Sequence, residues 1–203
     1  METTNDARVL PNDAGPARIS RRELAQIFLT SLAADILLPL SSSAHPIRRH
    51  LLNGRLLDFA DVHLSARSKP LFLSARQVAA LDVLSEAVVP GSRKAQTASF
   101  IDLLLSVDTH EVQQDFLAAL SAADLSSHNT YHAEIVALSP TQLHELLTTL
   151  SASHSAEYKH FTHLKDWISA AYYSSEIGMR ELGWTPNRVF PTFPVCSHRD
   201  GHV

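Results

Sequence analysis

The chain is poor in cysteine, in glycine and in net charge, and each shortage excludes something. Its 203 residues hold one cysteine, Cys196, which rules out an internal disulfide and any zinc site built from several cysteines. Six glycines are few for a Rossmann or barrel enzyme of this length. None sits in a Gly-x-Ser-x-Gly elbow, a Walker loop or a dinucleotide fingerprint. Seventeen basic and 21 acidic residues leave a net charge of −4, so the whole chain has no electrostatic reason to bind nucleic acid. The two arginine pairs, Arg21-Arg22 and Arg48-Arg49, both lie near the N-terminus, and a DNA-binding module built on them is the weaker for it. No run of about 18 apolar residues exists, so an ordinary spanning helix is not expected. Strand-like alternation bounded by turn residues is also missing.

What is present is helical. A 45% hydrophobic and 19% charged composition supports a core, and Ala, Leu and Ser dominate. The length suits one domain. The expected fold is all-α: a small helical bundle with a partly disordered N-terminus and an irregular Pro-rich C-terminal tail from about residue 185. Residues 1–44 read as a tail plus a signal-like segment, 45–70 as a linker, and 71–203 as the helical domain with its tail.

Two helix entries are marked by their chemistry. Ser74 with Gln77 forms a capping box flanked by the staple pair Leu73 and Val78. Ser139 with Gln142 repeats the device, with Pro140 at the first helical position and Leu138 opposite Leu143. Between them, Phe100–Leu105 is nearly all apolar and reads as a buried helix. A helix capped by Thr109 or Asp108 runs through Phe116 and Leu120 to about Leu125. The last long helix spans roughly 155–174, with Leu164, Trp167, Ile168, Ala171 and Tyr172 at helical spacing.

The N-terminal segment has two readings. Ser20-Arg21-Arg22 ahead of Ile27-Phe28-Leu29, with Ser42-Ser43-Ala44 downstream, resembles a twin-arginine export signal. Ser20 and Glu23 also make a capping box, with Leu24, Ile27, Phe28 and Leu32 on one helical stripe. Asp35 interrupts the apolar segment, and Leu24 and Ala25-Gln26 depart from the usual export pattern.

Chemistry is scarce. Glu157-x-x-His160 is half of a di-iron helix motif, but no second copy exists in the chain. His160 and His163 are three residues apart and form, with Glu157, the alternative reading: a metal-binding helical enzyme. Asp, Glu or His from elsewhere, such as His128 or His132, would have to complete that site. Cys196 lies in the Pro-rich tail two residues before His198, where no rigid cleft is expected.

The stretch with the most recognition character is Tyr172–Trp184. It mixes Tyr172 and Tyr173, Gly178 and Gly183, Arg180 and Glu181, and Trp184, residue types suited to contact surfaces. Tyr172 and Leu182 are expected to fold back on the domain. Gly178 and Gly183 allow positive φ, by which the chain can reverse tightly. Tyr173, Arg180, Glu181, Trp184, Phe190 and Phe193 are the candidate partner-binding residues, since Pro186, Pro191 and Pro194 leave the tail little means of burying its aromatics alone.

Phe100-Ile101-Asp102, Ala137-Leu138-Ser139-Pro140, and above all Tyr172-Tyr173-Ser174 with Ile177-Gly178 and Arg180–Trp184, resemble the gluconate 2-dehydrogenase subunit 3 family over roughly residues 70–195. Glu176 departs from it, standing where proline is common. The resemblance implies the small, non-catalytic subunit of a membrane-associated flavin-dependent dehydrogenase, without a cofactor of its own. It implies a large FAD-containing partner of the glucose–methanol–choline type, often with a multihaem cytochrome c. It further implies a role in the partner's maturation and twin-arginine export to the periplasm through Arg21 and Arg22.

Overall fold

A computed structural model of the chain describes Arg21 and residues 46–66 and 69–183. The described residues form α-helices and one 3-10 turn, with no strand among them. In chain order these are α1 (Arg48–Leu51), α2 (Gly54–Ser65), α3 (Ala75–Val88), α4 (Thr97–Ser106), α5 (His110–Tyr131), the 3-10 turn (Ile135–Ala137), α6 (Pro140–Ser151), α7 (Tyr158–Tyr173) and α8 (Glu176–Glu181). The all-α expectation is met.

The fold is built around α4. From Phe100 to Leu105 every side chain is buried, with α2, α3 and α7 packed about it. A helix that is apolar all round belongs in a core. Its one ionisable residue, Asp102, is buried as well, and its carboxylate accepts the backbone N–H groups of Leu71 (2.7 Å), Phe72 (3.0 Å) and Leu73 (2.6 Å). These three donors precede α3 and have no place in a helical ladder. Asp102 satisfies them and fixes where α3 begins.

Both capping boxes form with the expected partners, at Ser74/Gln77 and at Ser139/Gln142. The long helices α5 and α7 pair along their lengths, with Phe116 edge-on to the Trp167 ring at 5.5 Å, a favoured aromatic geometry.

Residues 45–70 correct an expectation. Where a linker was expected, α1 and α2 stand, and Ile47, Leu57, Ala60 and Leu64 join the core. Asn53-Gly54, which reads as a helix break, is a helix entry: the Asn53 side chain accepts the Leu56 N–H at 3.2 Å. A second anchor lies at His50, which is buried and sits 2.8 Å from the Asp108 carboxylate, with Arg49 pairing the other Asp108 oxygen. Asp108 therefore clamps α1 to the α4–α5 turn. Thr109, not Asp108, is the N-cap residue of α5. That helix also runs past Leu125 to Tyr131, because Ser127 is buried and donates to the Ala133 carbonyl at 2.7 Å instead of ending the turn.

Candidate functional site

The corner where α7 passes into α8 carries most of the candidate partner residues that the structure describes. α7 ends with two tyrosines facing opposite ways. Tyr172 is fully buried and Tyr173 is 38% exposed, their rings edge-on at 5.1 Å. Ser175 then caps α8, its hydroxyl accepting the Gly178 N–H at 3.1 Å, while its own N–H reaches the Tyr172 carbonyl at 2.9 Å. The chain reverses within a few residues, so α8 lies directly against the end of α7.

That closeness explains Gly178, which does not use the positive φ that glycine allows. Its φ is not positive; it lies inside α8. A Cβ there would stand 2.5 Å from the Tyr172 carbonyl oxygen and 2.9 Å from the Tyr173 Cα, and these backbone atoms have little room to yield. Gly183 does take positive φ, at 77°, and closes the corner with its N–H on the Arg180 carbonyl at 2.9 Å.

Arg180 pairs with Glu176 one turn back, Nε at 2.9 Å and Nη2 at 2.6 Å from the same oxygen. Glu176 thus holds Arg180 in place. Glu181 stands beside the Tyr172 hydroxyl, which is buried without a hydrogen bond. Burial, then the Glu181 carboxylate, pushes that phenol up to about 12. The hydroxyl also fills the space over Gly91, where a Cβ would lie 3.0 Å from it. Gly91 has φ +95°, and the Glu86 carboxylate accepts its N–H at 3.0 Å and that of Arg93 at 2.9 Å. One buried tyrosine therefore joins the corner to the α3–α4 loop.

Leu182 corrects a second expectation. It does not fold back on the helices: it is 65% exposed. As the C-cap residue of a six-residue helix, it sits beyond the face that α8 turns to α7. The corner therefore offers solvent a tyrosine ring, a leucine and the Arg180–Glu176 pair. Trp184, Phe190, Phe193 and Cys196 lie outside the described residues.

Arg21 is the one described residue of the signal-like segment; Arg22 lies outside the described residues. Arg21 is buried. Its Nη2 donates to the Ala95 carbonyl at 2.9 Å, its backbone N–H donates to Asp61 at 3.2 Å, and its guanidinium lies 3.9 Å from the Phe100 ring centroid. Burial lowers it to about 10, opposed by the Asp61 charge, so it stays protonated at neutral pH.

The alternative metal residues are not assembled. Glu157 is the residue before α7, with His160 and His163 on its first two turns. His163 packs edge-on to Phe116, and burial lowers it while the Asp115 and Asp166 charges oppose the shift. Among the described residues, no group of three or more His, Cys, Asp or Glu is placed to hold a metal ion, and no helix is long and apolar enough to cross a membrane. An open groove lies elsewhere, between the start of α3, α5 and the 3-10 turn. Its charges answer one another, Arg76 reaching Asp124 and Glu134 at 3.3 Å each.

The roles of Asp61, Asp102 and Asp108 are not legible in the sequence alone. A lone carboxylate in the apolar run Phe100–Leu105 was the available signal for the second. The other two partners lie 40 and 58 residues away in sequence and leave no local trace.

The family model described as gluconate 2-dehydrogenase subunit 3 matches residues 75–191, more than half of the chain. The match runs from the first residue of α3 through α8 and beyond. No curated protein and no solved structure matches the chain.

Proposed function

The chain belongs to the gluconate 2-dehydrogenase subunit 3 family, and from that membership we propose that it is the non-catalytic small subunit of a flavin-dependent sugar or alcohol dehydrogenase. The family match is the observation that carries the reading. In this reading the large glucose–methanol–choline-type flavoprotein holds FAD and performs the oxidation, and a multihaem cytochrome c accepts the electrons. The small subunit binds the flavoprotein, assists its maturation and carries the twin-arginine signal, Arg21-Arg22, that takes both to the periplasm.

The α7–α8 corner supports a docking role for Tyr173, Arg180 and Glu181, continued by Trp184, Phe190 and Phe193. Its backbone is held by a buried tyrosine, a serine cap and an obligatory glycine, so its outward side chains are presented at little entropic cost on binding. Tyr and Arg are the side chains that most often dominate such contacts.

Deleting the gene in the native host tests this. FAD-loaded flavoprotein should fall in the periplasm and return with the wild-type gene. Undiminished, fully loaded flavoprotein in the deletion strain would refute the maturation and export role.

A further inference from the structure

We propose that the folded helical domain sequesters Arg21, so that the paired-arginine signal is silent until Arg21 leaves its seat on that domain. The inference rests on the export reading above and adds a control to it. A twin-arginine signal is an address read by a receptor, and a receptor can read only a guanidinium that it can reach.

Arg21 is not within reach. Its seat comes from three separate elements: Asp61 on α2, the Ala95 carbonyl in the loop before α4, and the Phe100 ring on α4. The first two lie 40 and 74 residues along the chain, so the seat exists only once α2 and α4 have assembled. The contact is specific in chemistry: an aromatic face takes the cation, a carbonyl accepts one guanidinium N–H, and a carboxylate accepts the backbone N–H and balances the charge. Lysine would not reproduce it, since a planar guanidinium both stacks and donates. The seat is also incomplete. Nη1 is buried without a hydrogen-bond partner, which weakens the docked state and favours release over permanent attachment.

The consequence is an order of events. A folded subunit with Arg21 seated withholds that guanidinium, and its release precedes recognition. Release of Arg21 needs only local opening at its seat, while the core around α4 stays folded.

The test uses the full chain. Folded protein is treated with an arginine-selective dicarbonyl and labelling is read by mass spectrometry, with Arg76, whose side chain is 59% exposed, as the internal reference. Arg21 should label at least about tenfold more slowly than Arg76. Asp61→Ala and the isosteric Asp61→Asn, each checked for retained helix content, should bring Arg21 labelling toward the reference and speed the appearance of the subunit in the periplasm. Arg21 labelling as fast as Arg76 in the wild type would overturn the proposal. So would Asp61 variants that leave labelling unchanged, or that release Arg21 without changing export. The double variant Arg21→Lys/Arg22→Lys separates the two claims. If it blocks export, the signal reading stands whatever Asp61 does; if export continues, the signal reading itself fails and takes the gating with it.

Discussion

Replacing Gly178 by alanine sets two effects of opposite sign against each other. Intrinsic propensity favours the change, since alanine in a helix interior gains about 1 kcal/mol over glycine. The packing opposes it. The new methyl would stand 2.5 Å from the Tyr172 carbonyl oxygen, 2.9 Å from its carbon and 2.9 Å from the Tyr173 Cα. Ordinary carbon contacts sit at about 3.5–4.0 Å, so α8 must move away by roughly 1 Å. That movement strains the Ser175 cap on the Gly178 N–H, a bond of a kind worth about 1 kcal/mol, and overpacking of this sort typically costs about 1–3 kcal/mol. The net expectation is a loss of about 1–2 kcal/mol. For a domain of this size, that lowers Tm by roughly 2–8 °C. Thermal unfolding followed by far-UV circular dichroism reads it. A Gly178→Ala variant with a higher Tm would refute the close-approach argument, because propensity alone would then be acting. The variant should also weaken capture of the flavoprotein, since Tyr173 and Arg180 lose their fixed relation.

Further perturbations address the rest of the frame. Asp102→Ala strands the buried N–H of Leu73 and the part-buried N–H groups of Leu71 and Phe72, and an unsatisfied buried donor costs about 1–3 kcal/mol; Tm should fall steeply, or the protein should fail to fold, and in surviving protein the amides of Leu71 and Leu73 should exchange rapidly. Tyr172→Phe removes a buried hydroxyl that makes no hydrogen bond, so stability should stay within about 0.5 kcal/mol of wild type or rise; a loss above about 2 kcal/mol would mean the hydroxyl is bonded to Glu181 after all. Burial raises Asp108, but Arg49, His50 and the Thr109 N–H outweigh it, leaving its carboxyl below the usual range. A lowered folded-state pKa means that the unfolded chain binds more protons, so this stabilisation is complete above about pH 4 and is lost as pH falls through the folded value. Wild type should therefore lose stability below about pH 4 more steeply than Asp108→Asn in urea titrations across that range.

The helical frame was largely legible because its signals are local. Ser74/Gln77 and Ser139/Gln142 announce helix entries within four residues, and both form as read. The burial of Phe100–Leu105 follows from an apolar run on every face. What escaped depended on distance. α2 hides behind Asn53-Gly54, where a cap resembles a break, and its burial depends on α4 some forty residues on. The late end of α5 turns on Ser127, a polar residue whose burial is decided by the Ala133 carbonyl. At the α7–α8 corner the outward Tyr173 and inward Tyr172 were legible from their adjacency at a helix end. Leu182 was not, because an apolar residue that serves as a helix C-cap can turn either way. The need for glycine at 178 was visible in the motif, but its cause, a carbonyl on the preceding helix, belongs to packing.

The central claim is that this chain is a partner subunit of a flavoprotein. The direct measurement is affinity purification of the tagged full-length chain from its native host, with bound proteins identified and the flavin absorbance read. The account predicts one flavoprotein of the glucose–methanol–choline type in stoichiometric amount with FAD in it, and a reduced yield when Tyr173 and Arg180 are replaced by alanine. A chain recovered alone under conditions that preserve native complexes, or one carrying bound metal at His160 and His163, would contradict it.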